Sequence, residues 1–180
     1  VAPVVAKGAN VFLVVLDGCS FPVFLELLEV LQDQHDRIGV DLARAEATGT
    51  VAVAPLPTVT SHARGALFLG QVPHDPLADE TAGQEAVTDK ARLKQNKYLQ
   101  KVTRRLFLKG DLADGGVALS EALTSKDHQL VAAVFNAIDD QIGSSNTGAV
   151  VRVGPDDIAG FVPALRAALA AGREILLTAD

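Results

Sequence analysis

The run Val11-Phe12-Leu13-Val14-Val15-Leu16 constrains this sequence more than any other feature. It offers no polar face, and its β-branched residues favour extended backbone. A strand of this kind is expected to be buried on both sides, as in a parallel sheet. The run stops at Asp17-Gly18, and Cys19-Ser20 lead into Phe21-Pro22. Proline at an early helical position, with apolar residues recurring at helical spacing through Leu31, predicts a helix there.

The same alternation recurs. Thr50 to Ala54 reads as a second strand, followed by the loop Pro55-Leu56-Pro57-Thr58-Val59. A helix is expected from about Ser61 to Leu69, with Thr60 as its N-cap and Gly70 closing it. Leu130 to Phe135 is a third strand candidate, ending in Asn136-Ala137-Ile138-Asp139-Asp140. Glu174 to Thr178 is a fourth, preceded by a helix over about 157–171 with Asp156 as N-cap and Gly172 after its end. Strands separated by helices predict an α/β fold with a mostly parallel sheet flanked by helices.

Between the second and third strands the pattern changes. Gln71 to Asp89 is rich in Pro, Gly, Asp and Glu and reads as a long surface loop. Lys90 to Lys109 reads as a helix with eight of the chain's 16 basic residues and a buried stripe of Leu93, Leu99, Val102 and Leu106. Such a charge run is either a solvated face or a guide for a polyanion.

Composition narrows the class. With 180 residues and 48% hydrophobic content the chain can bury a substantial core. The net charge of −6 excludes a broad basic field for nucleic acid, so any such contact must be local. The single cysteine, Cys19, cannot form an internal disulfide and reads as a packed small residue in a cytoplasmic protein. No apolar stretch is long enough to span a bilayer. The sequence has no methionine, opens at Val1 and closes on an apolar run at Asp180, so it is expected to be a piece of a longer chain.

Ligands of open α/β sheets gather at the carboxyl ends of the strands. All four predicted strands lead into oxygen donors there: Asp17, Thr60 through its short approach loop, Asp139 with Asp140, and Asp180. Each has an ordinary reading as a turn or cap residue. Together, several carboxylates and a hydroxyl delivered to one edge form the set expected of a divalent-metal site acting on phosphate, because clustered carboxylates repel without a cation. Arg64 lies one helical turn beyond Thr60 and reads as a phosphate contact or a surface residue. His62 reads as a substrate contact or an exposed histidine, and Asn136 as an orienting group or a turn residue.

Val11 to Gly18 (VFLVVLDG), Leu56 to Gly70 (LPTVTSHARGALFLG), Leu106 to Asp111 (LFLKGD), Val134 to Asp140 (VFNAIDD) and Gly172 to Asp180 (GREILLTAD) occur in one order along the chain. This ordered set resembles the PglZ domain of bacterial BREX phage-defence systems, a branch of the alkaline-phosphatase superfamily. The resemblance implies one alkaline-phosphatase-like α/β domain over 1–180, truncated after Asp180, with 71–110 as an insertion made of the acidic loop and the basic helix. It implies a metal-dependent phosphate-ester hydrolase, phosphodiesterase or nuclease in character, with DNA among its substrates and other defence subunits as partners.

The resemblance also implies roles. Asp17 is a ligand of one metal, Thr60 the metal-bound nucleophile, and Asp139, with Asp140 beside it, a ligand of the second. Two zinc ions are the implied cofactors. Asp180 matches the aspartate of the family's Asp-His-Gly block, and the sequence ends before that histidine, so these 180 residues alone are expected to fold but to bind zinc poorly. The competing expectation is a non-catalytic phosphatase-like scaffold that holds partners of the defence complex.

Overall fold

A computed structural model describes residues 1–39, 54–56, 59–72, 85–136 and 153–179. The chain forms two compact units, one of Val1–Leu42 with Val102–Ala179, the other comprising Ala43–Lys101.

The first unit is built on four parallel strands: β1 (Val11–Leu16), β2 (Arg104–Phe107), β3 (Leu130–Phe135) and β4 (Glu174–Ala179). Their order is β2-β3-β1-β4. β1 and β3, adjacent at the centre, are buried at every position, as a parallel strand covered on both faces requires. The register runs from Val11↔Leu130 to Leu16↔Phe135 on one side of β1 and from Val11↔Glu174 to Leu16↔Ala179 on the other.

Side chains alternate across a strand. Phe12, Val14 and Leu16 of β1 and Val131, Ala133 and Phe135 of β3 therefore enter one core, joined by the partly buried Ile175, Leu177 and Ala179 of β4. Helices α1 (Ala2–Ala6), α2 (Phe21–Asp33) and α3 (His35–Ile38) precede the second unit. Its helices are α4 (Thr60–Leu69) and α5 (Glu85–Gln95), and the first unit resumes with α6 (Val117–Thr124) and α7 (Phe161–Ala170). Leu27 and Leu31 of α2, Leu119 and Leu123 of α6, and Phe161 and Leu165 of α7 close over that core. Phe135 meets Phe161 edge to face at 5.5 Å between ring centroids. Each such fully buried side chain contributes roughly 1.5–3 kcal/mol relative to exposure.

The expected α/β class, parallel sheet and flanking helices are present, with strands at 11–16, 130–135 and 174–179. The strand expected from Thr50 to Ala54 falls almost wholly outside the described residues.

The basic helix expected to run from Lys90 to Lys109 stops at Gln95. Asn96 ends it: its side-chain oxygen accepts from the Tyr98 backbone N–H and starts a short 3₁₀ turn, Lys97–Leu99. After four intervening residues the chain extends as β2, pairing with β3 from Arg104↔Leu130 to Phe107↔Ala133. Leu106, Phe107 and Leu108 are all buried, the signature of a short strand that the helical reading absorbed into a stripe.

Two predicted caps also differ. Val59 occupies the N-cap position of α4, with φ −88° and ψ 142°, and Thr60 is the first helical residue. Gly160, at φ 77°, precedes α7, whereas Asp156 lies in a separate 3₁₀ turn and pairs with Arg37 at 2.6 Å. Gly70 does close α4 in the left-handed conformation, at φ 75°.

Candidate active site

At the carboxyl edge of the sheet, the in-register pair Leu16 and Phe135 is followed by Asp17 and Asn136. The Asp17 backbone N–H donates to the Phe135 carbonyl at 3.0 Å. Asn136 Nδ2 donates to Asp17 Oδ2. Gly18, at φ 68°, turns the chain sharply out of the sheet, and α2 begins three residues later behind Ser20. Asp17 is thereby fixed at 3% exposure, although a turn alone would leave its carboxylate in water.

Cys19 lies in the hydrophobic core beside this turn, as expected of a packed small residue. Ala179 stands next to Leu16 across the β1–β4 pairing. Asp139, Asp140 and Asp180 lie outside the described residues.

A buried carboxylate at the ligand edge of a parallel sheet, oriented by an amide, suits a hard divalent cation. Among the described residues, no three His, Cys, Asp or Glu side chains gather as a group that could hold a metal. Asp17 fits as one ligand, and a complete set requires further residues.

In the second unit, Thr60 opens α4 and is half-buried. His62 and Arg64 on the same helix are buried, at 3% and 5% exposure, which corrects the reading of either as a surface residue. His62 Nε2 is buried with no hydrogen-bond partner among the described residues. Arg64 Nε donates to Asp89 Oδ2 at 2.7 Å, and Arg92 Nη1 lies 4.0 Å from the other oxygen of the same carboxylate.

Arg92 reaches Asp89 by lying against Gly65, where a Cβ would fall 2.0 Å from its Nη1. Only glycine admits the guanidinium there. Reading Gln71 to Asp89 as loop and Lys90 to Lys109 as helix separates Asp89 from Arg92, so sequence reasoning misses their roles. Their i,i+3 spacing on what proves to be α5 was the available signal.

Among the described residues no helix is long and apolar enough to cross a membrane. No curated protein matches the sequence. The family model for the BREX system PglZ alkaline phosphatase-like domain matches residues 1–180. Its fold assignment agrees with the parallel sheet and flanking helices. The chain therefore belongs to the PglZ family, the alkaline phosphatase-like domain of BREX phage-defence systems.

Proposed function

We propose that the chain hydrolyses phosphate esters, phosphodiesters of nucleic acid foremost, with Thr60 as nucleophile. The observation that carries the proposal is the buried Asp17 carboxylate, held by Asn136 at the carboxyl edge of a parallel sheet. Membership of an alkaline phosphatase-like family supplies the class of chemistry.

In this reading Thr60 Oγ forms a bond to phosphorus as the bond to the leaving ester oxygen breaks, and water then cleaves the phosphothreonine. The start of α4 adds the positive end of a helix dipole near Thr60, which favours an anion. Arg64, held by Asp89, and His62 contribute charge and hydrogen bonding to the phosphate, and Asn136 orients Asp17. Asp17, Asp139, Asp140 and Asp180 would hold divalent cations, two zinc ions in this reading. Bound there, such cations lower a hydroxyl's pKa and offset charge on phosphate oxygens. Within a defence complex the domain works beside other subunits.

The test is turnover of a chromogenic phosphodiester and monoester by the intact protein and its Thr60→Ala variant, with and without zinc. Metal-dependent diester turnover that vanishes in the variant, with an unchanged melting curve, is expected. Undiminished turnover in the variant would exclude Thr60 as nucleophile. No turnover with any divalent metal would favour a phosphatase-like scaffold that holds partner subunits.

A further inference from the structure

The segment 90–101 contains no Asp or Glu, and Lys90, Lys94, Lys97 and Lys101 are all exposed. In a chain of net charge −6 this is a local concentration of positive charge. The chain's single tyrosine, Tyr98, sits within it at 60% exposure. An exposed tyrosine is ordinary by itself. The way Tyr98 is held is not.

Asn96, 5% exposed, donates from Nδ2 to the Phe68 carbonyl of α4 at 2.8 Å and accepts the Tyr98 N–H at 3.0 Å. Gly70 makes room for it, since a Cβ there would lie 2.7 Å from Asn96 Nδ2. Leu99, 3% exposed, anchors the other side of the turn. The 3₁₀ turn is therefore pinned by two buried side chains while Lys97 and Tyr98 face solvent. Lys97 Nζ lies 5.2 Å from the Tyr98 ring centroid.

A rigid exposed ring among cations matches what an unpaired base and its phosphates present: a flat π face and flanking negative charge. An acidic peptide would satisfy the lysines but offers nothing flat to the ring, and a duplex keeps its base faces inside. Holding the turn in advance lowers the ordering cost of binding.

We propose that Lys97, Tyr98 and Lys101 form a docking surface for single-stranded nucleic acid, with Tyr98 stacking on a base and the two lysines meeting phosphates. The surface goes beyond the hydrolytic reading and does not depend on it.

Fluorescence anisotropy of a labelled oligo(dT) of about twenty nucleotides, enough to cover a site of this kind, tests the proposal in EDTA. Wild type is expected to bind it more tightly than the matching duplex or polyglutamate. Tyr98→Ala should lose about five- to a hundredfold in affinity, whereas Tyr98→Phe keeps it. Lys97→Ala with Lys101→Ala should flatten the salt dependence by about 1 to 1.5 in the log–log slope.

These side chains are exposed, so the variants should melt with wild type. No binding by wild type, equal binding by Tyr98→Ala, or tighter binding of polyglutamate or duplex would each overturn the proposal. Tyr98→Ala, outside the proposed catalytic residues, should hydrolyse a small chromogenic diester as wild type does. Lost binding with intact ester hydrolysis would thus remove the docking surface alone, and intact binding without hydrolysis would remove the active-site reading alone.

Discussion

Asn136 donates its side-chain N–H to the Asp17 carboxylate, joining the residue after β3 to the residue after β1. The Asp17 backbone N–H adds a second tie, to Phe135. Two neighbouring parallel strands thus jointly fix one buried carboxylate at the sheet edge where ligands bind.

Asn136→Asp replaces that amide with a second carboxyl group against the first. Like charges at this distance repel, and a bound cation relieves the repulsion. In EDTA the variant is expected to lose about 1–3 kcal/mol of stability, as a lost donor to a buried acceptor predicts. Zinc, manganese or magnesium should recover more stability in the variant than in wild type. Thermal melts with and without each metal check this, and identical metal responses would argue against cation binding at Asp17.

The strands were legible because burial on both faces leaves uninterrupted apolar runs, as in 11–16 and 130–135. Asp17 was legible with them, since a strand's end marks the ligand edge. β2 was not, because Arg104-Arg105-Leu106-Phe107 carries its charge into the strand itself: Arg105 lies over the Phe107 ring at 4.6 Å. A basic helix and a basic edge strand have similar composition, and only the Asn96 break separates them. The burial of Arg64 was also hidden, because its partner Asp89 is distant in sequence and is brought in by α5.

Asp89 is the pivot of the α4–α5 pair. It is 1% exposed and serves two guanidinium groups, those of Arg64 and Arg92. Removing one member of a buried ionic group costs far more than the group contributes net, because the remaining charges keep their desolvation penalty. Asp89→Ala is expected to destabilise by about 3–5 kcal/mol. Urea unfolding measures it, and a loss below about 1 kcal/mol would place the cluster in water, where exposed pairs contribute little.

Arg173 performs a different structural task just before β4, at the end of the sheet away from Asp17. Its guanidinium donates to five carbonyls, those of Ala122, Leu123, Ser125, His128 and Gln129. It thereby serves the final carbonyls of α6 and the loop leading to β3. Burial lowers its pKa from the ordinary guanidinium value, yet arginine stays charged throughout the working range. Lysine has one compact ammonium and cannot reproduce the fork. Arg173→Lys should therefore lose most of what Arg173→Ala loses, at least about 3 kcal/mol, because several carbonyls lose a charged donor together. Near-wild-type unfolding of the lysine variant would show that charge alone suffices.

Asp114 braces the start of α6. Its carboxylate accepts the Ala118 N–H at 3.0 Å and the Gly116 N–H at 2.9 Å, at the positive end of that helix. These bonds, the one from Ala118 foremost, hold its pKa below the ordinary carboxylate value. A depressed folded pKa means that the unfolded chain takes up a proton first as pH falls. The contribution is thus complete above the usual carboxylate range and disappears as pH drops through the lower folded value. Asp114→Asn keeps an acceptor but no charge, and asparagine serves helix starts well, so the cost at neutral pH should be small. The gap between wild type and variant should close steadily on acidification. Urea midpoints for both proteins from pH 7 down to about 2 follow that closure, which linkage requires if the Asp114 charge stabilises the fold. A gap that stays constant across the range would mean that the hydrogen bonds, and not the charge, set the contribution.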